Sequence, residues 1–321
     1  MRPLQTKPGG FNKLYVAGIT RTLFSKGYAH TFSTVYRALP WFLHINGHLK
    51  LCRVMTSNPH LIELTRRRPQ LIYKYLGSYL ARNFPVRNRL AILTNHYHFL
   101  ATRAKADFFS LVLNQTIIWR QTVDEDEFTI RLEFPAGIDF DGDLALVFSC
   151  NDIPVYAVSF TFVPASVIDG SSGQVLFVSR VQGISSFDVI RQATKKLYDI
   201  TPASLLVVAL QGIGLAFGID KLVGISNDMH LYRYTRVNET HFFDYDSFWR
   251  SFHVDSSAVF FHIPIPFVEK PLAELKPNHR SRTIRKRAYK GEVCETVEQY
   301  VRTNFLPGVA VTADFVAHAS S

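Results

Sequence analysis

The chain carries 36 Lys and Arg against 26 Asp and Glu over 321 residues, a formal net charge of +10 at pH 7. A composition that is 47% hydrophobic and 19% charged excludes a disordered chain, and the length provides for one large domain or two ordinary ones. The basic balance asks for an acidic partner or surface, a requirement met equally by nucleic acid, anionic lipid and a phosphorylated cofactor.

Three cysteines, Cys52, Cys150 and Cys294, are too few and too scattered for a disulfide framework or a zinc site, so no metal is expected and a reducing cytoplasm fits. With 26 Phe and 14 Tyr, aromatics are expected to line both core and grooves. Residues 1–12 read as a loose tail, and the opening MRPLQTKPGGFNKLYVAG lacks the continuous apolar run of a signal peptide. From Lys13 to about Lys105 the pattern is helical. Tyr15, Ile19, Leu23 and Phe24, then Thr34–Leu43, then Leu61–Leu80 place apolar residues at helical steps, with Pro40, Pro59, Pro69 and Pro85 as boundaries. Arg66–Arg68 falls at a helix junction and reads as a solvated turn or an anion contact. In Leu93–Leu100 (LTNHYHFL), His96 and His98 share no helix face and have no carboxylate or cysteine beside them to complete a metal site. His96 is a candidate general base or a packed histidine.

After Lys105 the period shortens. Gln115–Gln121, Glu127–Phe134, Leu144–Cys150 and Val155–Val163 read as successive strands, joined by Val123–Asp126, Gly137–Gly142 and the hairpin turn Asn151–Pro154. Gln174–Asp199 then combines a short strand (Val175–Val178), a polar turn (Arg180–Ser185) and an amphipathic helix with Phe187, Ile190, Ala193, Leu197 and Ile200 on one face. Such a turn offers backbone N–H groups to an anion, although an ordinary strand-to-helix connection has the same pattern. Ala203–Ile219 is very apolar, but it holds Gln211 and is short of the roughly 20 residues a membrane span needs. It reads as a buried helix. A strand at Lys221–Ser226 follows. Asp244 then caps a short helix that buries Tyr245, Phe248, Trp249 and Phe252, and a strand at Ala258–Ile265 comes next. The remainder is helical and basic, with His279, Arg280, Arg282, Arg285, Lys286, Arg287 and Lys290 in one segment.

No G-x-S-x-G elbow, P-loop, H-E-x-x-H or paired CxxC is present, and Arg180–Ser185 is not G-x-G-x-x-G. That segment resembles the pyrophosphate-binding turn of the GNAT superfamily of N-acetyltransferases, Gln/Arg-x-x-Gly-x-Gly/Ala, with Arg180, Gly183 and Ser185 at the marked places. Ser185 departs from the small residue of that pattern. The resemblance implies a strand pair that splays, exposing backbone against which a pantetheine arm can lie like an added strand.

A second resemblance covers about Arg89 to Lys290, to the bacterial VirK/YbjX family. It is carried by His96-Tyr97, Val158–Phe162, Val181-Gln182-Gly183, Arg191–Lys195, Pro202–Leu210, Ile225-Ser226 with His230 and Tyr232-Arg233, Asp244–Asp246 with Phe248-Trp249, and Arg280–Tyr289. The family often has Ile-Gly where Ser179 and Arg180 stand here. The resemblance implies a link to cell-envelope maintenance, virulence and resistance to cationic peptides.

Together these readings predict an α+β fold: a mainly helical region over 1–105, then a mixed, mostly antiparallel sheet flanked by helices over 106–321, GNAT acyltransferase-like. The leading expectation is a cytoplasmic acyltransferase-like protein that moves an acyl group from acyl-CoA or another activated donor to an amine or hydroxyl. Arg180, Gln182, Gly183, Ser185 and Ser186 would hold donor phosphate, and His230, His96 or Asp244 would deprotonate the acceptor, His230 first among them. A second reading makes aminoacyl-tRNA the donor, held by Arg280, Arg282, Arg285 and Arg287. A third has no catalysis and docks the basic segment on an anionic membrane surface, peripheral at the inner membrane.

Overall fold

The computed structural model describes residues 43–135, 141–231, 243–254 and 259–308. The helical pattern expected before Leu43 lies outside them, as do Tyr232, Arg233 and Phe242. The chain divides into two compact units, Met1–Leu49 and Lys50–Ser321. The sheet and everything described below belong to the second, apart from the first turn of the first helix, Ile45–Leu49.

Helix α1 spans Ile45–Met55 and α2 spans Pro59–Arg67. Asn58 starts α2 by accepting the His60 N–H at 2.8 Å, with proline at the first helical position, where its missing N–H costs nothing. A 3-10 helix, Pro69–Leu76, follows at once. The arginine run at this junction is spoken for. Arg66 and Arg67 pair with Glu63 one turn back, and Arg68 donates to the Pro135 carbonyl and lies over the Phe134 ring. Helices α3 (Val86–Arg103) and α4 (Phe108–Leu113) complete the helical part.

Seven strands then form one open sheet in sequence order: β1 Thr116–Val123, β2 Asp126–Glu133, β3 Leu144–Cys150, β4 Ile153–Pro164, β5 Gln174–Gly183, β6 Lys221–Ile225 and β7 Phe260–Pro264. All neighbours are antiparallel except β5 and β6. The fold is therefore α+β with a mostly antiparallel sheet flanked by helices. The β3–β4 turn lies where the sequence puts it: Asn151 and Asp152 both take positive φ, the turn whose twist matches the strands. The Asn151 side chain ties the turn to β2, accepting from Glu127 N at 2.9 Å and donating to Asp126 at 2.8 Å.

Strand β5 is longer than its apolar run predicts. The expected turn at Arg180–Ser185 is strand as far as Gly183, because β4 supplies partners along the whole length, from Pro164 opposite Gln174 to Tyr156 opposite Gly183. A short helix, α5 (Ala165–Ile168), lies in the β4–β5 connection, and α6 (Phe187–Lys196) follows β5. The expected α6 face ends early, where Tyr198 and Asp199 take positive φ. Helix α7, Pro202–Phe217, is capped by Thr201 and closed by Gly218 at φ 70. Its all-round apolar sequence matches its position, packed on α9 (Pro277–Phe305), β4 and β5. Gly212 permits the α7–α9 approach, since a Cβ there would stand 2.5 Å from the Cys294 carbonyl oxygen. Helix α8, Tyr245–Arg250, has Asp244 as its N-cap and buries Tyr245 and Trp249, as its sequence predicts. No helix among the described residues is long and apolar enough to cross a membrane.

Candidate functional site

Chemistry-bearing residues gather where β5 leaves β6. The two strands are paired only from Leu176 opposite Leu222 to Val178 opposite Gly224. At that point β5 carries a bulge: Val178 faces Phe160 and Arg180 faces Ser159 of β4, so Ser179 is the extra residue. A bulge sharpens strand twist and re-aims the side chains beyond it. The strand then runs on through Val181 to Gly183 with β4 on one side and, among the described residues, no paired strand on the other.

Helix α8 stands in the angle this opens. Trp249 lies flat on Gly224, where any Cβ would come within 2.3 Å of the indole, and its Nε1–H donates to the Ile225 carbonyl at 2.9 Å. Tyr245 reaches β5, its hydroxyl accepting the Val181 N–H at 3.3 Å. His230 stacks on the Tyr245 ring with centroids 4.8 Å apart. The loop after β6 fixes the helix: Asn227 N donates to Asp246, Asn227 Nδ2 to Asp244, and Tyr245 N to Asn227 Oδ1, each at 2.9 Å. Beyond the bulge, Arg180 pairs with the buried Asp141 at 2.9 Å and keeps a quarter of its side chain in water (25%). Burial pushes the Tyr245 phenol well above its ordinary pKa, with Asp141 adding to the rise and Arg180 opposing it. Tyr156, opposite Gly183, is pushed up to about 12 by burial alone.

The end of β5 is an exposed corner. Ile184 N and Ser185 N both donate to the Val155 carbonyl, at 2.9 and 3.3 Å, and the Ser185 hydroxyl donates to the Pro154 carbonyl at 2.8 Å. These groups, expected to hold phosphate, brace the turn against β4. Ser186 occupies the N-cap of α6 without a side-chain cap bond, so the first turn of that helix gets no side-chain acceptor from Ser186. Gln182 is half-buried on the strand and Gly183 is exposed.

The remaining predicted residues are dispersed. Asp244 lies beside Tyr245 but accepts from Ser247 N at 3.1 Å, Ser247 Oγ at 2.6 Å and Asn227. The Ser247 and Asn227 hydrogen bonds pull its pKa down to about 2, leaving a very weak base. His96 is in the core, on the α3 face that meets β4. Its Nδ1 accepts the Phe162 N–H at 3.2 Å, and its Nε2 has no hydrogen-bond partner among the described residues. Burial lowers its pKa to about 4. Arg282 pairs with Asp199 at 2.6 Å, Arg287 with Glu269, and Arg280 donates to the Leu275 and Ala273 carbonyls, all on α9 and apart from the β5–β6 angle.

Sequence reasoning missed two polar partners. Asp141 sits in what reads as a turn, and nothing local marks it as the counter-ion of Arg180. The other is a sealed cluster: Lys74 pairs with Asp143 at 3.1 Å, and Tyr79 and Thr161 donate to the same carboxylate. Burial opposes ionisation of Asp143, yet Lys74, His96 and Tyr79 outweigh it and hold the carboxyl below its usual range. Among the described residues no group of three or more His, Cys, Asp or Glu is placed to hold a metal ion.

Comparison with known proteins gives the family. The group described as "Protein of unknown function (DUF535)" matches residues 32–299. The chain belongs to this family. The match spans the segment on which the VirK/YbjX resemblance rests. A Mannheimia haemolytica protein named "Membrane protein LapB" is 24% identical over 197 residues, which is 59% of this chain and 80% of the relative. No solved structure matches. Nothing in these matches supports the N-acetyltransferase resemblance.

Proposed function

We propose that the protein transfers an acyl or aminoacyl group from an activated donor to an amine or hydroxyl, with the donor held in the angle between β5 and β6. One observation carries the reading. A bulged strand leaves its parallel neighbour and runs on, beside a partly exposed cation and a stacked His–Tyr pair, into a helix N-terminus. An exposed strand edge suits an extended, amide-bearing arm, and Arg180 with the first turn of α6 suits its phosphate. Of the three bases expected from sequence, His230 is buried, as His96 is, but it alone stacks on Tyr245 beside the end of β5, and in this reading it takes the acceptor proton. Tyr245 is a neutral phenol beside it, of use as a proton donor to the departing group.

A second reading draws on α9, where Arg280, Arg282 and Arg285 are exposed on one stretch of helix. That stretch suits tRNA phosphates or an anionic bilayer, and the relative named a membrane protein favours the surface. Calorimetry on the full chain with acetyl-CoA and longer acyl-CoAs tests the first reading. Binding is expected, and Arg180→Gln should weaken it. Folded protein that ignores every thioester sinks the CoA form of the proposal. A salt-sensitive tRNA gel shift, or flotation with anionic but not neutral liposomes, would then point to α9.

A further inference from the structure

A second concavity lies away from the β5–β6 angle, between α7, α9, the end of α8 and the segment after β7. Its volume is about 290 Å³, at the low end of what small-molecule sites have. Its wall is of two kinds. Val208, Phe252, Phe267 and Val268 supply an apolar surface, and Lys286, Arg287 and Lys290 line the α9 side. Glu269 is the carboxylate among the described lining residues, and it is paired with Arg287.

Neither lysine forms an ion pair among the described residues: Asp199 and Glu269 lie near enough to be felt, but each is paired with an arginine. Lys286 donates to a carbonyl, Asp199 O, at 2.8 Å, which orients the ammonium but does not neutralise it. Lys290 is half-buried and forms no hydrogen bond or ion pair among the described residues. Burial pulls both ammoniums below the usual lysine value; Arg282 lowers Lys286 further while Asp199 opposes it, and Glu269 raises Lys290 while Lys286 and Arg287 lower it. A half-buried cation without a partner is costly unless something arrives to pair with it. The remaining polar wall is already in use: Gln211 accepts from Phe267 N at 2.7 Å and donates to the Cys294 sulfur. What the cavity offers a ligand is cationic at one side and apolar at the other.

We infer that this cavity binds an anionic amphiphile, a phosphate or carboxylate head on Lys286 and Lys290 with a short alkyl or aryl body against Val208, Phe252 and Phe267. The inference does not rest on the acyl-transfer reading, since none of the residues assigned to the donor lines the cavity. An uncharged apolar molecule would leave the lysines unpaired. A bare anion would leave the apolar wall wet. The site asks for both in one molecule.

Calorimetry with octyl phosphate below its micelle concentration, inorganic phosphate and octanol separates these cases on the full chain. Octyl phosphate should bind at least about tenfold tighter than either fragment. Lys290→Gln should weaken it about tenfold, the size of a lost charge-assisted hydrogen bond. Gly291 lines the cavity and a Cβ there meets nothing within 4 Å, so Gly291→Leu should block the site without disturbing the fold, which a thermal melt checks. The inference fails if folded protein does not bind octyl phosphate. It also fails if phosphate or octanol alone binds as tightly, or if both variants bind like the parent. Octanoate in place of octyl phosphate tells which head group the lysines prefer.

Discussion

Asp141 and Asp143 stand two positions apart, and each is buried against one cation, yet the two pairs belong to different parts of the molecule. Asp143 meets Lys74 with exposures of 0% and 4%, inside a shell closed by Tyr79, Thr161 and the neutral His96. Asp141 meets Arg180 beyond a strand bulge, and the guanidinium is partly in water beside an open strand edge. Composition does not separate the two: each has an acid, a cation, a tyrosine and a histidine. What separates them is reach. Arg180 keeps a quarter of its side chain in water while Lys74 is sealed, so the second pair is the one a ligand could touch, and the first should be felt as stability alone.

The largest effect is expected from the sealed pair. Lys74→Met removes the cation and leaves Asp143 ionised in the core, a loss of about 3–5 kcal/mol. Thermal or denaturant unfolding reads it directly. A change below about 1 kcal/mol would mean that water reaches Asp143, and the contrast with Asp141 would collapse.

His96 should make the same region acid-sensitive. Its folded pKa of about 4 lies below the unfolded value near 6.5, so folding prefers the neutral ring. The stability this contributes is complete above pH 6.5 and is lost as pH falls from there towards 4, by about 3 kcal/mol. His96→Phe should flatten the stability profile across that window. An unchanged profile would show that the histidine charges without penalty and is not sealed.

Much of the fold was open to reading because its signals are local. The β3–β4 hairpin needs only Asn151 and Asp152 in a turn between apolar runs, and α8 needs Asp244 ahead of a buried aromatic face. The length of β5 was not legible, since nothing within Arg180–Gly183 says that β4 waits alongside to pair it. The same limit applies to the site. Arg180 and His230 stood out by type and by their place after strands, but Tyr245 read as core, and Asp141 read as loop. Lys74 gave no signal at all, because its partner Asp143 lies 69 positions away and its own neighbourhood reads as an ordinary helix. Partners set by strand register and helix packing are long-range facts, and single-residue chemistry does not encode them.

The smallest change in stability should accompany the largest change in binding. Arg180→Gln keeps a hydrogen-bond donor near Asp141, and water reaches the vacated space, so about 1 kcal/mol is expected where Lys74→Met costs several times more. Tyr245→Phe removes the acceptor of the Val181 N–H, again about 1 kcal/mol. If the strand edge is a donor site, Arg180→Gln should weaken a phosphate-bearing donor about tenfold or more, as a lost charge-assisted bond does, while the melting temperature moves by a few degrees. If Arg180→Gln instead destabilises the protein as severely as Lys74→Met, the Asp141 pair is a second structural bridge. The open edge would then be a seam that Tyr245 and Trp249 close, and the functional reading would pass from β5 to the cationic face of α9.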